Sequence, residues 1–114
     1  MDIKIDKNFN NETATVFVSG EIDAFTAPKL KEELLPLTEE QKMTLIVSLE
    51  DVSYIDSTGL GVFVGLFKQI KKNDGELKLV NLSERLRRLF EITGLNNIID
   101  ISSESEVGDN ETIG

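Results

Sequence analysis

A chain of 114 residues with 39% apolar side chains is the size of one domain built on a single core. It has no cysteine and no histidine, which excludes disulfides, thiolate catalysis, imidazole general bases and the usual zinc sites. The formal charge is −9, and the base-free stretch 100–114 carries five of the acids. Nucleic acid is an unsuitable partner for such a chain, because phosphate binding needs a net basic surface.

Residues 2–7 and 13–19 alternate, the second around Thr15-Val16-Phe17-Val18, with Asn8-Phe9-Asn10-Asn11 as turn chemistry between them. That pattern predicts an antiparallel hairpin. Gly20-Glu21-Ile22-Asp23 ends it, and a helix is expected from near Thr26 to about Leu35. Pro28 is tolerated in its first turn and Pro36 closes it. Leu30, Leu34 and Leu35 form the inner face of this helix.

Residues 43–49 are apolar with little alternation, as in a strand buried on both faces of a partly parallel sheet. An apolar helix follows to about Lys72. Residues 77–82 are a further strand, and Ser83 caps a helix whose Leu86, Leu89 and Phe90 share one face. Gly94 is its expected left-handed terminator. Ile98, Ile99 and Ile101 suit a short last strand. The order is β-β-α-β-α-β-α-β, an α/β domain over residues 1–101 with a small mixed sheet flanked by helices. Residues 102–114 form an acidic tail with two isolated apolar residues, expected to be disordered or weakly helical. The start Met1-Asp2-Ile3-Lys4 lacks the apolar run of a signal peptide, and residues 60–70 are too short and glycine-rich to span a bilayer. A cytoplasmic protein is expected.

Tyr54-Ile55-Asp56-Ser57-Thr58-Gly59-Leu60-Gly61 concentrates the unusual choices. It places a carboxylate and two hydroxyls where a strand hands over to a helix, at the carboxyl edge of an α/β sheet, where ligands are met. Ser57 suits the N-cap. A phosphate on it would also meet free N–H groups and the positive end of the helix dipole. Gly61 and Gly65 lie one turn apart on the polar side of the helix, where each costs roughly 1 kcal/mol against alanine. They make room either for a neighbouring loop of this chain or for another molecule beside Ser57 and Thr58.

Three enzyme readings bear on the same residues. Asp23, Asp51 and Asp56 suit a magnesium site or an acid/base pair if they gather at the sheet edge. The glycines are no phosphate loop, since no Gly-Lys-Ser/Thr follows, and a serine hydrolase lacks its histidine. Lys71 and Lys72, and Arg85, Arg87 and Arg88, are basic patches diluted by acids, as on solvated helix faces.

Gly20-Glu21-Ile22-Asp23, residues 49–61 and Arg88-Leu89-Phe90-Glu91-Ile92-Thr93-Gly94-Leu95 together resemble bacterial anti-sigma factor antagonists with the STAS fold. The resemblance runs in unbroken order over roughly residues 3–101, and Asp56-Ser57 with Gly59-Leu60-Gly61 is its most specific part. It implies a binding module, not an enzyme. The unmodified antagonist binds an anti-sigma factor that is also an ATP-using serine kinase, and so frees the sigma factor. The kinase phosphorylates the serine matching Ser57, the antagonist lets go, and a metal-dependent serine phosphatase restores it. Asp23 matches a family position near partner and nucleotide. The expected contact surface is Asp23, Asp56, Ser57, Thr58, Gly59, Leu60, Gly61 and Gly65. No cofactor is expected on this chain itself, the ATP belonging to the kinase, and neither nucleic acid nor membrane among its partners. A scaffold or nucleotide-sensing STAS subunit is the other reading within this fold. The family's usual last amphipathic helix has no counterpart in the apolar spacing of residues 102–114.

Overall fold

The structure, a computed structural model, describes residues 2–103. Strands β1 (Ile3–Asn10) and β2 (Thr13–Ile22) pair antiparallel from Ile3 opposite Gly20 to Asn10 opposite Thr13. The turn is therefore only Asn11-Glu12. Asn11 takes a φ of 55°, a left-handed conformation that asparagine tolerates better than most residues. Asn8, Phe9 and Asn10 belong to β1, where a turn was expected: pairing with Thr15, Ala14 and Thr13 overrides their poor strand propensity.

Helix α1 (Ala27–Leu34) buries Ala27, Leu30 and Leu34 and carries Pro28 in its first turn. The chain then tightens into a 3-10 turn, Leu35–Thr38, that contains Pro36. Pro36 thus lies just past the end of α1, as expected, in the first turn of a new helical segment, where proline is acceptable. Strand β3 (Thr44–Ile55) leads into α2 (Ser57–Lys72), β4 (Glu76–Leu82) and α3 (Glu84–Thr93). Ser83 Oγ accepts from the Leu86 N–H at 3.2 Å, and Gly94 ends α3 at a φ of 79°. A short turn, Leu95–Asn97, precedes β5 (Asp100–Ser103). Ile98 and Ile99 lie ahead of that strand, not in it, and Ser102 and Ser103 belong to the sheet. The rest of the expected tail, residues 104–114, lies outside the described residues.

The sheet order is β1-β2-β3-β4-β5, with every pair parallel except β1 and β2. Crossovers that advance in one direction with the usual right hand bring their helices to one face. Register shows which face: Lys7, Val16, Val47, Leu79 and Ile101 form one row, with Val16, Val47 and Leu79 fully buried and Lys7 paired to Glu33 of α1 at 2.8 Å. The adjacent row on the other face contains Phe17, 51% exposed. So β3 is central, as expected, and covered unevenly: Leu45, Val47 and Leu49 are buried on the helix face, while on the other face Ser48 is buried and Ile46 half-buried. Phe63 of α2 and Phe90 of α3 close the core with ring centroids 6.3 Å apart.

Candidate functional site at the start of helix α2

Beyond Ser48, β3 loses β4 and pairs with β2 alone, Tyr54 opposite Glu21 and Ile55 opposite Ile22. This extension fixes the strand-to-helix junction. The Asp56 N–H donates to the Ile22 carbonyl at 3.1 Å, which holds Asp56 extended at φ −110° and ψ −174°. Its Oδ1 then accepts from the N–H groups of Thr58 at 2.9 Å and Gly59 at 3.2 Å. Asp56, not Ser57, is therefore the N-cap, and Ser57 is the first helical residue. Aspartate and serine cap about equally well, so the anchor to Ile22 and the charge of the carboxylate against the helix dipole decide between neighbours.

Ser57 and Thr58 are both exposed. Gly59 and Leu60 are not: a Cβ on Gly59 would stand 2.5 Å from Ile22 Cγ2 and 2.7 Å from Ile55 Cγ1, and Leu60 joins the core. Gly61 and Gly65 differ again, since a Cβ at either meets nothing within 4 Å. Among the described residues no loop is packed on them, which leaves room for another molecule. They form the floor of a groove of about 600 Å³ between α1 and α2, lined also by Thr58, Ala27, Pro28 and Lys31. On the other flank, Tyr54, Arg85, Arg88, Leu89 and Ile92 line a groove of about 640 Å³. Ser57 lines neither groove and stands between the two.

Asp23 is buried, at 6% exposure, and holds the loop beside this junction. Its Oδ1 accepts from the N–H groups of Phe25 at 2.9 Å and Thr26 at 3.0 Å, and the Thr26 hydroxyl returns the favour to the Asp23 N–H at 2.9 Å. Oδ2 is buried without a partner among the described residues. Asp23 thus shapes the loop, and the side chain offered to solvent is Phe25, 87% exposed. Phe25 was missed from sequence; an aromatic in a loop at the sheet's carboxyl edge was the available signal. Asp51 is exposed and lies opposite Ser19, and among the described residues no group of three acids is placed to hold a metal ion. The gathering that a magnesium enzyme needs is not formed by Asp23, Asp51 and Asp56.

Burial pushes the Asp23 carboxyl up, but hydrogen bonds from Thr26 and Phe25 outweigh it and hold the group below its ordinary value of 3.8. A depressed folded pKa stabilises the fold above the unfolded pKa, and that contribution disappears as pH falls through the folded one. Asp23→Asn should therefore flatten the acid limb of stability. Urea midpoints between neutral pH and about pH 3 test this, and an unaltered acid limb would show that the carboxylate charge is not what the loop uses.

Taken together, the carboxyl edge of an open α/β sheet presents two exposed hydroxyls at a helix start, Thr58 in the α1/α2 groove and Ser57 beside it. The chain belongs to the STAS domain family, whose model matches residues 4–108. It is 58% identical over 108 residues to the anti-sigma-B factor antagonist of Bacillus subtilis (strain 168), covering 95% of this chain and 98% of that one. Identity to the anti-sigma-B factor antagonist of Listeria monocytogenes (serovar 1/2a, strain ATCC BAA-679 / EGD-e) is 50% over 112 residues, with 96% and 98% covered. Among solved structures, an anti-sigma factor antagonist from Mycobacterium paratuberculosis superposes with a TM-score of 0.78 at 26% identity, over 88% of this chain and 85% of that one.

Proposed function

We propose that this chain is an anti-sigma factor antagonist working by partner switching in the cytoplasm. The observation that carries the reading is the exposed Ser57 at the start of α2, between two grooves, in a chain 58% identical to such an antagonist. Unmodified, it binds an anti-sigma factor and frees the sigma factor. The anti-sigma factor is also a serine kinase that holds the ATP and phosphorylates Ser57; a metal-dependent phosphatase reverses the step. The chain itself catalyses nothing and needs no cofactor. Ser57, Thr58, Gly61 and Gly65 make the contact, while Asp23, Asp56, Gly59 and Leu60 hold that surface in shape.

The switch follows from charge. A phosphate adds about −1.5 to −2 charges. Two of the N–H groups that would receive it, those of Thr58 and Gly59, already serve Asp56. The dipole is worth roughly 0.3–2 kcal/mol and is partly neutralised, so it does little for the phosphate. Like unit charges about 6 Å apart at an effective dielectric near 20 repel by roughly 3 kcal/mol. Set against negative charge in the partner's acceptor pocket, a repulsion that exists only in the complex, that weakens binding on the order of tenfold to a hundredfold. The test is gel filtration of the chain with a purified anti-sigma factor, with and without ATP. A complex that forms without ATP and dissolves with it supports the reading; no complex in either case sinks it.

The floor of the α1/α2 groove gives a second measurement. Gly65→Leu adds a side chain where nothing stands within 4 Å and improves helix propensity, so the domain stays folded. It fills the groove and should weaken partner binding by about tenfold or more, roughly 1.4 kcal/mol. Titration calorimetry showing parental affinity would move the interface off this groove.

A further inference from the structure

We infer that the free edge of β1 pairs with the same edge of a second copy of this chain, antiparallel and centred on Ile5. β1 is an outer strand of the sheet, and no described strand pairs with its open side. The phase of its backbone is fixed from both ends. The two-residue turn makes Asn10 and Thr13 a hydrogen-bonded pair, and the Glu21 N–H donates to the Asp2 carbonyl at 3.1 Å. Even-numbered residues of β1 therefore turn their backbone groups to β2, while Ile3, Ile5, Lys7 and Phe9 turn theirs outward. Such a row of donors and acceptors is a template onto which another strand adds.

Side chains choose the occupant and the register. Lys4 and Asp6 are exposed on the face opposite Lys7, and neither joins an ion pair among the described residues. In a symmetric antiparallel pair outward residues must meet outward residues, so the two-fold axis passes through a residue pair and not between two. Centred on Lys4, Asp6 or Lys7, the pair would set like charges directly opposite each other, which is destabilising. Centred on Ile5, it sets Lys4 of each copy opposite Asp6 of the other. Ile5, half-buried in the single chain, then meets Ile5, and Ile3 meets the stem of Lys7. Registers centred nearer either end of β1 engage fewer residues.

Charges on an edge strand ordinarily keep copies apart. Here a lysine and an aspartate two residues apart on one face answer each other across the two-fold axis, so the same charges select this chain as the partner. The contact is small beside the roughly 1,200 Å² at which stable interfaces begin, so the dimer forms only at high protein concentration. Because the two β1 strands run in opposite directions, so do the two β3 strands. The two Ser57 sites then lie at opposite ends of the joined sheet, and pairing leaves both open.

The test uses this chain alone, so its failure leaves the proposed function untouched. Sedimentation from the micromolar to the millimolar range should show the parent's mass rising towards twice that of the chain. Lys4→Asp and Asp6→Lys should each weaken association by about tenfold or more, since either sets like charges opposite each other twice. Both positions are exposed, so far-UV dichroism and urea midpoints should stay parental. Asp6→Lys also takes the net charge from −9 to −7, so general repulsion alone predicts more association, not less. An equimolar mixture of the two variants restores opposite charges across the axis, as does the double exchange Lys4→Asp/Asp6→Lys, and both should associate like the parent. A parent that stays monomeric at millimolar concentration overturns the inference. So does association that survives both single substitutions, as contact through Phe17 or Phe25 would, or a mixture and double exchange that stay monomeric.

Discussion

Ser57→Ala is expected to bind the anti-sigma factor with parental affinity and to remain bound when ATP is added. In the proposed switch this hydroxyl is the acceptor, and the cap bonds to Thr58 and Gly59 come from Asp56, not from it. Stability should therefore stay within about 0.5 kcal/mol of the parent, as for a surface substitution, and not show the loss of about 1 kcal/mol that removing a cap causes. Ser57→Asp should bind weakly even without ATP, although one carboxylate imitates only part of the phosphate charge. Ser57 and Thr58 share the exposed first turn, so end-on projection of a cap does not separate them. What does is that Thr58 lines the α1/α2 groove and is β-branched, while Ser57 stands clear of both grooves. A kinase must bring the acceptor oxygen into line with the γ-phosphate, which a free-standing primary hydroxyl allows more readily. Mass spectrometry after incubation with kinase and ATP decides it. Phosphate on Thr58, or release of the Ser57→Ala complex by ATP, sinks the assignment.

The element order was legible because apolar periods change cleanly along the chain. Leu77 and Leu79 alternate, whereas Leu30 and Leu34, or Leu86 and Phe90, recur at helical spacing, and each set is buried as its period requires. What failed is what depends on a distant partner. Ser83 was recognisable as a cap because no competitor precedes it, while Asp56 and Ser57 are adjacent and equally suited. The bond from Asp56 to Ile22, on another strand, makes the choice. The polar run Glu50, Asp51 and Ser53 concealed that β3 continues, since the only strand it pairs with there is β2. Asp23 carries the same ambiguity: a carboxylate at a sheet edge is either offered outward or turned in to hold a loop, and only the hydrogen bonds to Phe25 and Thr26 distinguish these. The junction was therefore findable as a place. The division of labour within it was not.

Gly59 and Gly61 show this most sharply, and they support a prediction of opposite signs two residues apart. A methyl group on Gly59 would stand 2.5 Å from Ile22 Cγ2 and 2.7 Å from Ile55 Cγ1, far inside contact distance. Both isoleucines are buried, at 0% and 5% exposure, and the Ile22 backbone is tied to Asp56, so neither can step aside cheaply. Overpacking of this kind costs typically 1–3 kcal/mol, against a gain of about 1 kcal/mol in helix propensity. The clash wins: Gly59→Ala should lose about 1–2 kcal/mol, and Gly59→Val more, because it adds two methyl groups and a β-branch to the same space. Gly61→Ala meets open space and should keep the propensity gain, becoming more stable by up to about 1 kcal/mol. Urea midpoints for the three variants at unchanged m-value give the answer. Gly59→Ala as stable as Gly61→Ala would mean that α2 slides away from Ile22 at little cost. The start of α2, and Ser57 with it, would then not be held by the packing described above.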